Sequence, residues 1–354
     1  MKKLLTFLLL FSLILSGCAK GEKEEKNKEN DKLTVYTTVY PLQYFSERIG
    51  GQYIEAKTIY PPGANEHTFE PTQKDMMKLA DADLFFYIGL GLEGFVDKSK
   101  ETLKNEQVQL IAAGENIHFD PELEKKPALV DDHHDHDANH EEEDVDHDAT
   151  HEGEDHDHDA THEGEDHDHD ATHEGEDHDH GDIDPHVWID PIYAKDLAES
   201  IKDALIEKMP EHKDEFTSNY DNLIIELDQL NEDFNKVLNQ SKHKEIIVSH
   251  AAYGYWEKRY DIKQISVSGM QNSSEPTQKQ LENIIKVAKE HHLKYVFFEQ
   301  NISSKLTEII QKELGAEQLH LHNLSVLTDN DIKNNSNYFS IMKANLEALQ
   351  KALN

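Results

Sequence analysis

Nine apolar residues, Phe216, Tyr220, Leu223, Ile224, Leu227, Leu230, Phe234, Val237 and Leu238, recur at spacings of three and four. Only an α-helix puts that period on one face. The pattern predicts one helix from about Glu211 to Gln240, roughly 45 Å long at 1.5 Å per residue. Such a rod can run from one lobe to another or pack along a single domain, and periodicity leaves both open. On each side of it, short β-rich runs alternate with helical patterns. The first half offers strands at Leu33 to Thr38, Tyr53 to Tyr60, Leu84 to Ile88 and Val108 to Ala112, with helices at Leu42 to Ile49, Gln73 to Ala80 and Leu92 to Lys104. A helix from Ile192 to Lys208 stops at Met209-Pro210. The second half offers strands at Glu245 to Ser249, Ile262 to Val267, Tyr295 to Glu299 and Gln318 to His322, with helices at Tyr253 to Arg259, Thr277 to His291, Ser304 to Leu314 and Tyr338 to Leu353. This alternation predicts an α/β fold, two lobes each with a parallel sheet flanked by helices. Clefts between such lobes are favoured ligand sites.

Charge is distributed very unevenly. The 354 residues carry 35 Lys+Arg against 72 Asp+Glu, a formal charge of -37, which argues against a nucleic-acid partner. Residues 131 to 184 alone hold 26 acids, 14 His and no Lys or Arg. ATHEGEDHDHD occurs at Ala149 to Asp159 and again at Ala160 to Asp170, and a third copy from Ala171 ends in His180-Gly181. The repeats carry almost no apolar side chains, so the tract is expected to be a disordered insert. Neutral imidazoles beside carboxylates suit divalent transition metals. His133, His134, His136, His156, His158, His167, His169, His178 and His180 are therefore accessory metal candidates in a loose collector, and a solvating acidic segment is the bland alternative.

The chain begins Met1-Lys2-Lys3 and continues with 12 largely apolar residues from Leu4 to Leu15. That length fits a signal-peptide core and is too short for a bilayer span. Leu15-Ser16-Gly17-Cys18 resembles a bacterial lipobox, and Cys18 is the only cysteine. It excludes an internal disulfide and is the expected lipidation site. Residues 19 to 32 lack any aliphatic side chain larger than Ala and predict a flexible tether.

Ten histidines lie outside the tract. His212, His243, His291 and His292 sit among Lys and Glu and are expected at the surface. His320 and His322 alternate with Leu319 and Leu321 on one strand face. His118 stands at the mouth of the tract, where it is a further collector candidate. His67, His186 and His250 occupy strand or loop ends, where scaffolds present functional groups. They fall in Gly63-Ala64-Asn65-Glu66-His67-Thr68-Phe69-Glu70-Pro71-Thr72, Asp184-Pro185-His186-Val187-Trp188-Ile189-Asp190-Pro191 and Val248-Ser249-His250-Ala251-Ala252-Tyr253-Gly254-Tyr255-Trp256. Glu299 closes the apolar run Val296-Phe297-Phe298, where an ionised group is otherwise costly.

In this order, with the His-rich insert between the first two and Phe297-Phe298-Glu299-Gln300-Asn301-Ile302-Ser303-Ser304 after the third, the segments resemble the metal-binding solute receptors of bacterial ABC importers that capture zinc or manganese. The likeness runs from about Leu33 to Asn354. It implies two lobes joined by one long rigid helix, with a single metal in the interlobe cleft. The ligands it implies are His67 and His186 from the first lobe, and His250 and Glu299 from the second. Some zinc members use an acid where Glu66 stands, so Glu66 is an alternative or supplement to Glu299. Three imidazoles and one carboxylate suit tetrahedral Zn²⁺, whereas manganese receptors commonly carry a carboxylate at the position of His250. The partners implied are a membrane permease and, through it, a cytoplasmic ATPase.

The expected organisation is a leader over 1–17, a tether over 18–32, a first lobe over 33–209 containing the insert 120–184, a linking helix over 210–240 and a second lobe over 241–354. A monomer on the outer face of the cell membrane is expected. A hydrolytic zinc site needs an open position for water, and four protein ligands leave little room for it. The HExxH pattern is also absent, since His162 to His167 has one residue too many. An adhesin or metal-storage lipoprotein is the alternative that the anchor and tract also permit.

Overall fold

Strands β1 (Leu33–Thr37), β2 (Ile54–Thr58), β3 (Leu84–Tyr87) and β4 (Gln109–Ala112) form a parallel sheet in the order β2-β1-β3-β4. Their crossovers are α1 (Tyr40–Gly50), α2 (Gln73–Ala80) and α3 (Val96–Leu103). This computed structural model describes residues 32–124, 183–270, 276–300 and 304–354. The leader, Cys18, the tether to residue 31 and all nine accessory histidines of the tract lie outside the described residues. Two parts of the expected insert do not. Pro121–Glu124 (α4) forms a helical turn, and Asp184 is half-buried beside His186.

Local chemistry explains the helix limits. Pro41 sits in the first turn of α1, where its missing N–H costs nothing. Thr72 and Asp75 cap α2 reciprocally, each side chain accepting from the other's backbone N–H. Lys208 ends α5 (Tyr193–Lys208), and Pro210–His212 makes a 3₁₀ turn into α6 (Lys213–Asn239). At 27 residues α6 is about 40 Å long, slightly shorter than expected because the 3₁₀ turn takes its first residues.

The second half repeats the first topology. Strands β5 (Glu245–His250), β6 (Lys263–Ser268), β7 (Tyr295–Phe298) and β8 (Glu317–His320) run parallel in the order β6-β5-β7-β8. Helices α7 (Gly254–Tyr260), α8 (Gln278–Glu290), α9 (Lys305–Leu314), α10 (Asp329–Lys333) and α11 (Tyr338–Ala352) complete it. Strand β8 ends at His320, so His322 leaves the predicted strand face. Its imidazole instead accepts from Leu324 N at 2.9 Å and meets Asp331 at 3.2 Å.

Helix α6 buries Phe216, Leu223, Leu227, Leu230, Phe234 and Leu238 against α1 and α5 on one side, and against α7 and α11 on the other. One apolar core therefore runs through both lobes. A smaller core of Ile247, Val267, Ile284, Val296, Phe298 and Ile310 lies in the second lobe. Polar bonds tie the lobes as well. Trp188 Nε1 donates to Asn323 O at 2.7 Å, Trp256 Nε1 to Ile189 O at 2.8 Å, and Tyr338 Oη to Trp188 O at 2.9 Å. Arg259 Nε donates to Asp190 Oδ2 at 2.5 Å. Among the described residues no helix is long and apolar enough to cross a membrane.

Candidate metal centre

Every candidate ligand stands at or beyond the C-terminal end of a strand or in a loop, where open parallel sheets place their ligands. His250 is the last residue of β5, Glu299 follows β7, and Glu66 and His67 lie in the turn-rich loop after β2. His186 precedes the 3₁₀ turn Val187–Ile189, which packs under α5.

The fold brings His67, His186 and His250 together, offering three nitrogens all within 4.8 Å of one another. His186 and His250 are fully buried and His67 is half-buried. Nε2 of His186 and Nε2 of His67 stand 3.2 Å apart. Two nitrogens at zinc-bond length from one tetrahedral ion stand about 3.3 Å apart, so this pair already has the spacing of a shared ligand set. Glu299 is next to this cluster rather than within it. Its Oε1 and Oε2 lie 3.0 and 3.3 Å from His250 Nδ1. Glu66, also buried, accepts from Asn323 Nδ2 at 2.9 Å.

Position and charge separate the three imidazoles. Burial, reinforced by His186 and His250, pushes His67 down to about 3, so it is neutral at all ordinary pH. Burial also opposes charge on His250, but the charge and hydrogen bond of Glu299, with Glu66 and the Met270 carbonyl, outweigh it and push the group up to about 9. Its geometry agrees: Nδ1 faces Glu299, and Nε2 faces Met270 O at 2.8 Å. Two acceptors, one at each ring nitrogen, are satisfied together only by an imidazolium. Glu66 is raised by burial first and by the Glu299 charge second.

Asp184 is a site residue that sequence reasoning missed, because it ends an acidic tract in which no single acid stands out. Its Oδ1 accepts from His186 N at 3.0 Å and faces His186 Nδ1 at 2.8 Å. That contact fixes the ring and leaves Nε2 for a metal. Tyr255 Oη donates to Asp184 O at 2.5 Å, and Gly254 gives the carboxylate room, since a Cβ there would lie 2.5 Å from Oδ2. Asp184→Ala is expected to weaken metal binding about 10–100-fold, as loss of an outer-shell partner does. Titration followed by the fluorescence of Trp188, whose ring centroid is 5.3 Å from that of His186, checks this. Asn323 was missed too, as nothing near it in the sequence marks it.

Several of the remaining histidines have other partners. His118 Nδ1 is 3.6 Å from Asp196, His212 stacks on Tyr53 at 3.7 Å between centroids, and His291 Nδ1 meets Glu245 at 2.5 Å. The cluster of His67, His186 and His250 is the one group of three or more metal-ligating side chains found together among the described residues.

Two parallel sheets meeting at a buried imidazole cluster define a two-lobed solute-binding receptor. The family model for ZnuA, zinc-uptake complex component A, periplasmic, matches residues 35–352, and the chain belongs to that family, whose members are receptors and not enzymes. It is 30% identical over 349 residues to the zinc-binding protein AdcA of Streptococcus pyogenes, covering 99% of this chain but 61% of that protein, so the chain spans about three-fifths of that relative's length. It is 28% identical over 342 residues to the high-affinity zinc uptake system protein ZnuA of Bacillus subtilis, covering 96% of this chain and 94% of that protein. The crystal structure of the Zn(II)-bound ZnuA-like domain of Streptococcus pneumoniae AdcA superimposes with a TM-score of 0.64 at 26% identity, covering 91% of this chain and 99% of that one.

Proposed function

We propose that this chain captures Zn²⁺ between its lobes and delivers it to an ABC permease driven by a cytoplasmic ATPase. The convergence of His67, His186 and His250 within 4.8 Å carries this reading, because imidazole-rich sets suit zinc better than manganese. Glu299 supplies the carboxylate as the fourth ligand, turning from His250, and Glu66 remains the alternative. The chain is processed before Cys18, held to the outer face of the membrane by lipid there, and works as a monomer. Its tether is residues 18–32, its lobes are 33–209 and 241–354, and the tract from 131 to 184 collects ions and passes them to the cleft.

Metal analysis of protein lacking 131–182, which keeps Asp184 as the partner of His186, tests the cleft. One tightly held zinc per chain is expected, lost in His67→Ala and in His250→Ala. Zero zinc in the deleted protein removes the cleft from the reading and leaves only the collector. Preference for Mn²⁺ over Zn²⁺ supports the manganese alternative. Deleting the permease separates receptor from adhesin: a receptor then ceases to support growth at low zinc, whereas an adhesin keeps its function.

A further inference from the structure

The side chain of Asn323 is fully buried at the point where both lobes approach the imidazole cluster. Three donors converge on its Oδ1: Gln300 Nε2 at 2.7 Å, Ser325 N at 3.0 Å and Ser325 Oγ at 2.9 Å. Such convergence sets the orientation of the amide, since a flipped group would face three donors with an NH₂. The Nδ2 group is thereby aimed at the two acids of the site. It donates to Glu66 Oε1 at 2.9 Å from the first lobe and to Glu299 Oε2 at 3.1 Å from the second. An amide has two N–H groups, so each acid receives one and none remains. The backbone of the same residue is tied in as well, because its carbonyl accepts from the Trp188 indole, two residues beyond His186.

We infer that Asn323 is a specificity-determining positioning residue: by giving one N–H to each of Glu66 and Glu299, it restrains Glu66 from joining the three imidazoles and so keeps the cation's ligand set rich in nitrogen. The restraint matters because the two acids have opposite value for different ions. Two free carboxylates beside three imidazoles make a larger, oxygen-richer set, and harder oxygen ligands at higher coordination number favour Mn²⁺ over Zn²⁺. One carboxylate held back leaves the four-ligand set that Zn²⁺ prefers. Asn323 makes no hydrogen bond to the three imidazoles, so its influence on the ligand set passes through the acids it holds.

This inference rests on the proposed cleft site, and the test keeps the two apart. The variant Asn323→Asp retains the oxygen that serves Gln300 and Ser325 but replaces the shared donor with an acceptor. In this chain the only tryptophans are Trp188 and Trp256, and Trp188 stands 5.3 Å from His186 between ring centroids, so their fluorescence reports the cleft. Zn²⁺ and Mn²⁺ affinities of both proteins are measured by that signal in metal-buffered solution. The ratio of zinc to manganese affinity is expected to fall at least about tenfold in Asn323→Asp, the lower end of outer-shell effects. It is expected to recover in Asn323→Asp combined with Glu66→Gln, where the released acid is gone. A ratio within twofold of the parent, in a variant that still binds zinc, overturns the assignment, as does a loss that Glu66→Gln leaves unchanged. Should Asn323→Asp not fold, Asn323→Ser, which serves only one acid, is expected to move the ratio the same way, and an unchanged ratio there also overturns it. Failure of the parent protein to respond to either metal is a different result, and it refutes the cleft itself.

Discussion

Replacing Arg259 with Ala is expected to destabilise the folded protein by about 3–5 kcal/mol at neutral pH, the cost of stranding one partner of a buried ion pair. Asp190 is fully buried and the Arg259 side chain is 15% exposed, so water cannot take over the lost contact. Besides the pairing of its Oδ2 with Arg259 across the lobes, Asp190 accepts at Oδ1 from Ile192 N at 2.8 Å and Tyr193 N at 3.4 Å, tying the turn that leads into α5. Burial pushes the Asp190 carboxyl above its ordinary range, and the Arg259 charge opposes that rise. Without Arg259 the carboxyl rises further and protonates more readily, so the deficit should shrink as pH falls from 7 to 5. Urea unfolding at the two pH values measures this. A loss below about 1 kcal/mol at pH 7 would mean that the pair is not an interlobe brace.

Zinc affinity is expected to rise about tenfold per pH unit from pH 7 to 9 and then level off, because binding must expel one proton from His250. The sign follows from the metal-free state. Glu299 and its neighbours outweigh burial and hold His250 protonated up to about 9, so below that pH zinc competes with a proton. His67, neutral down to about 3, contributes no proton in this window. Burial first and the Glu299 charge second raise Glu66, so that any proton it gives up on binding adds to the slope in the same direction. The same linkage makes the His250–Glu299 pair stabilising below the unfolded-state value, about 6.5, with that contribution lost as pH rises through about 9. Tryptophan-monitored zinc titration across pH 7 to 9 gives the slope. A flat profile would rule out a protonated His250 in the metal-free protein.

The two predictions draw on residues of very different visibility in the sequence. The period of α6, the limits of α2 and the β-rich runs were legible because each is a local pattern, set by the side-chain repeat of a helix or strand and by caps such as Thr72. His67, His186 and His250 were legible as candidates because each sits where an element ends. Asp184, Asp190, Arg259 and Asn323 were not. Their roles depend on partners such as Arg259 for Asp190, 69 positions away, and Glu66 for Asn323, 257 positions away. No local period records such pairings. His322 shows the opposite error: alternation with Leu319 and Leu321 suggested a strand face, but the loop before α10 draws its imidazole to the Leu324 amide and Asp331.

The larger apolar core, shared by both halves, limits how far the two can swing apart. Swinging one half away from the other would pull α6 off its helical neighbours and snap the bonds made by Trp188, Trp256, Tyr338 and Arg259. On the proposed delivery to a permease, that partner therefore has little global shape change to sense. The candidate ligands all stand in loops or at strand ends beside the cleft, so on that reading a docking partner inspects that small region.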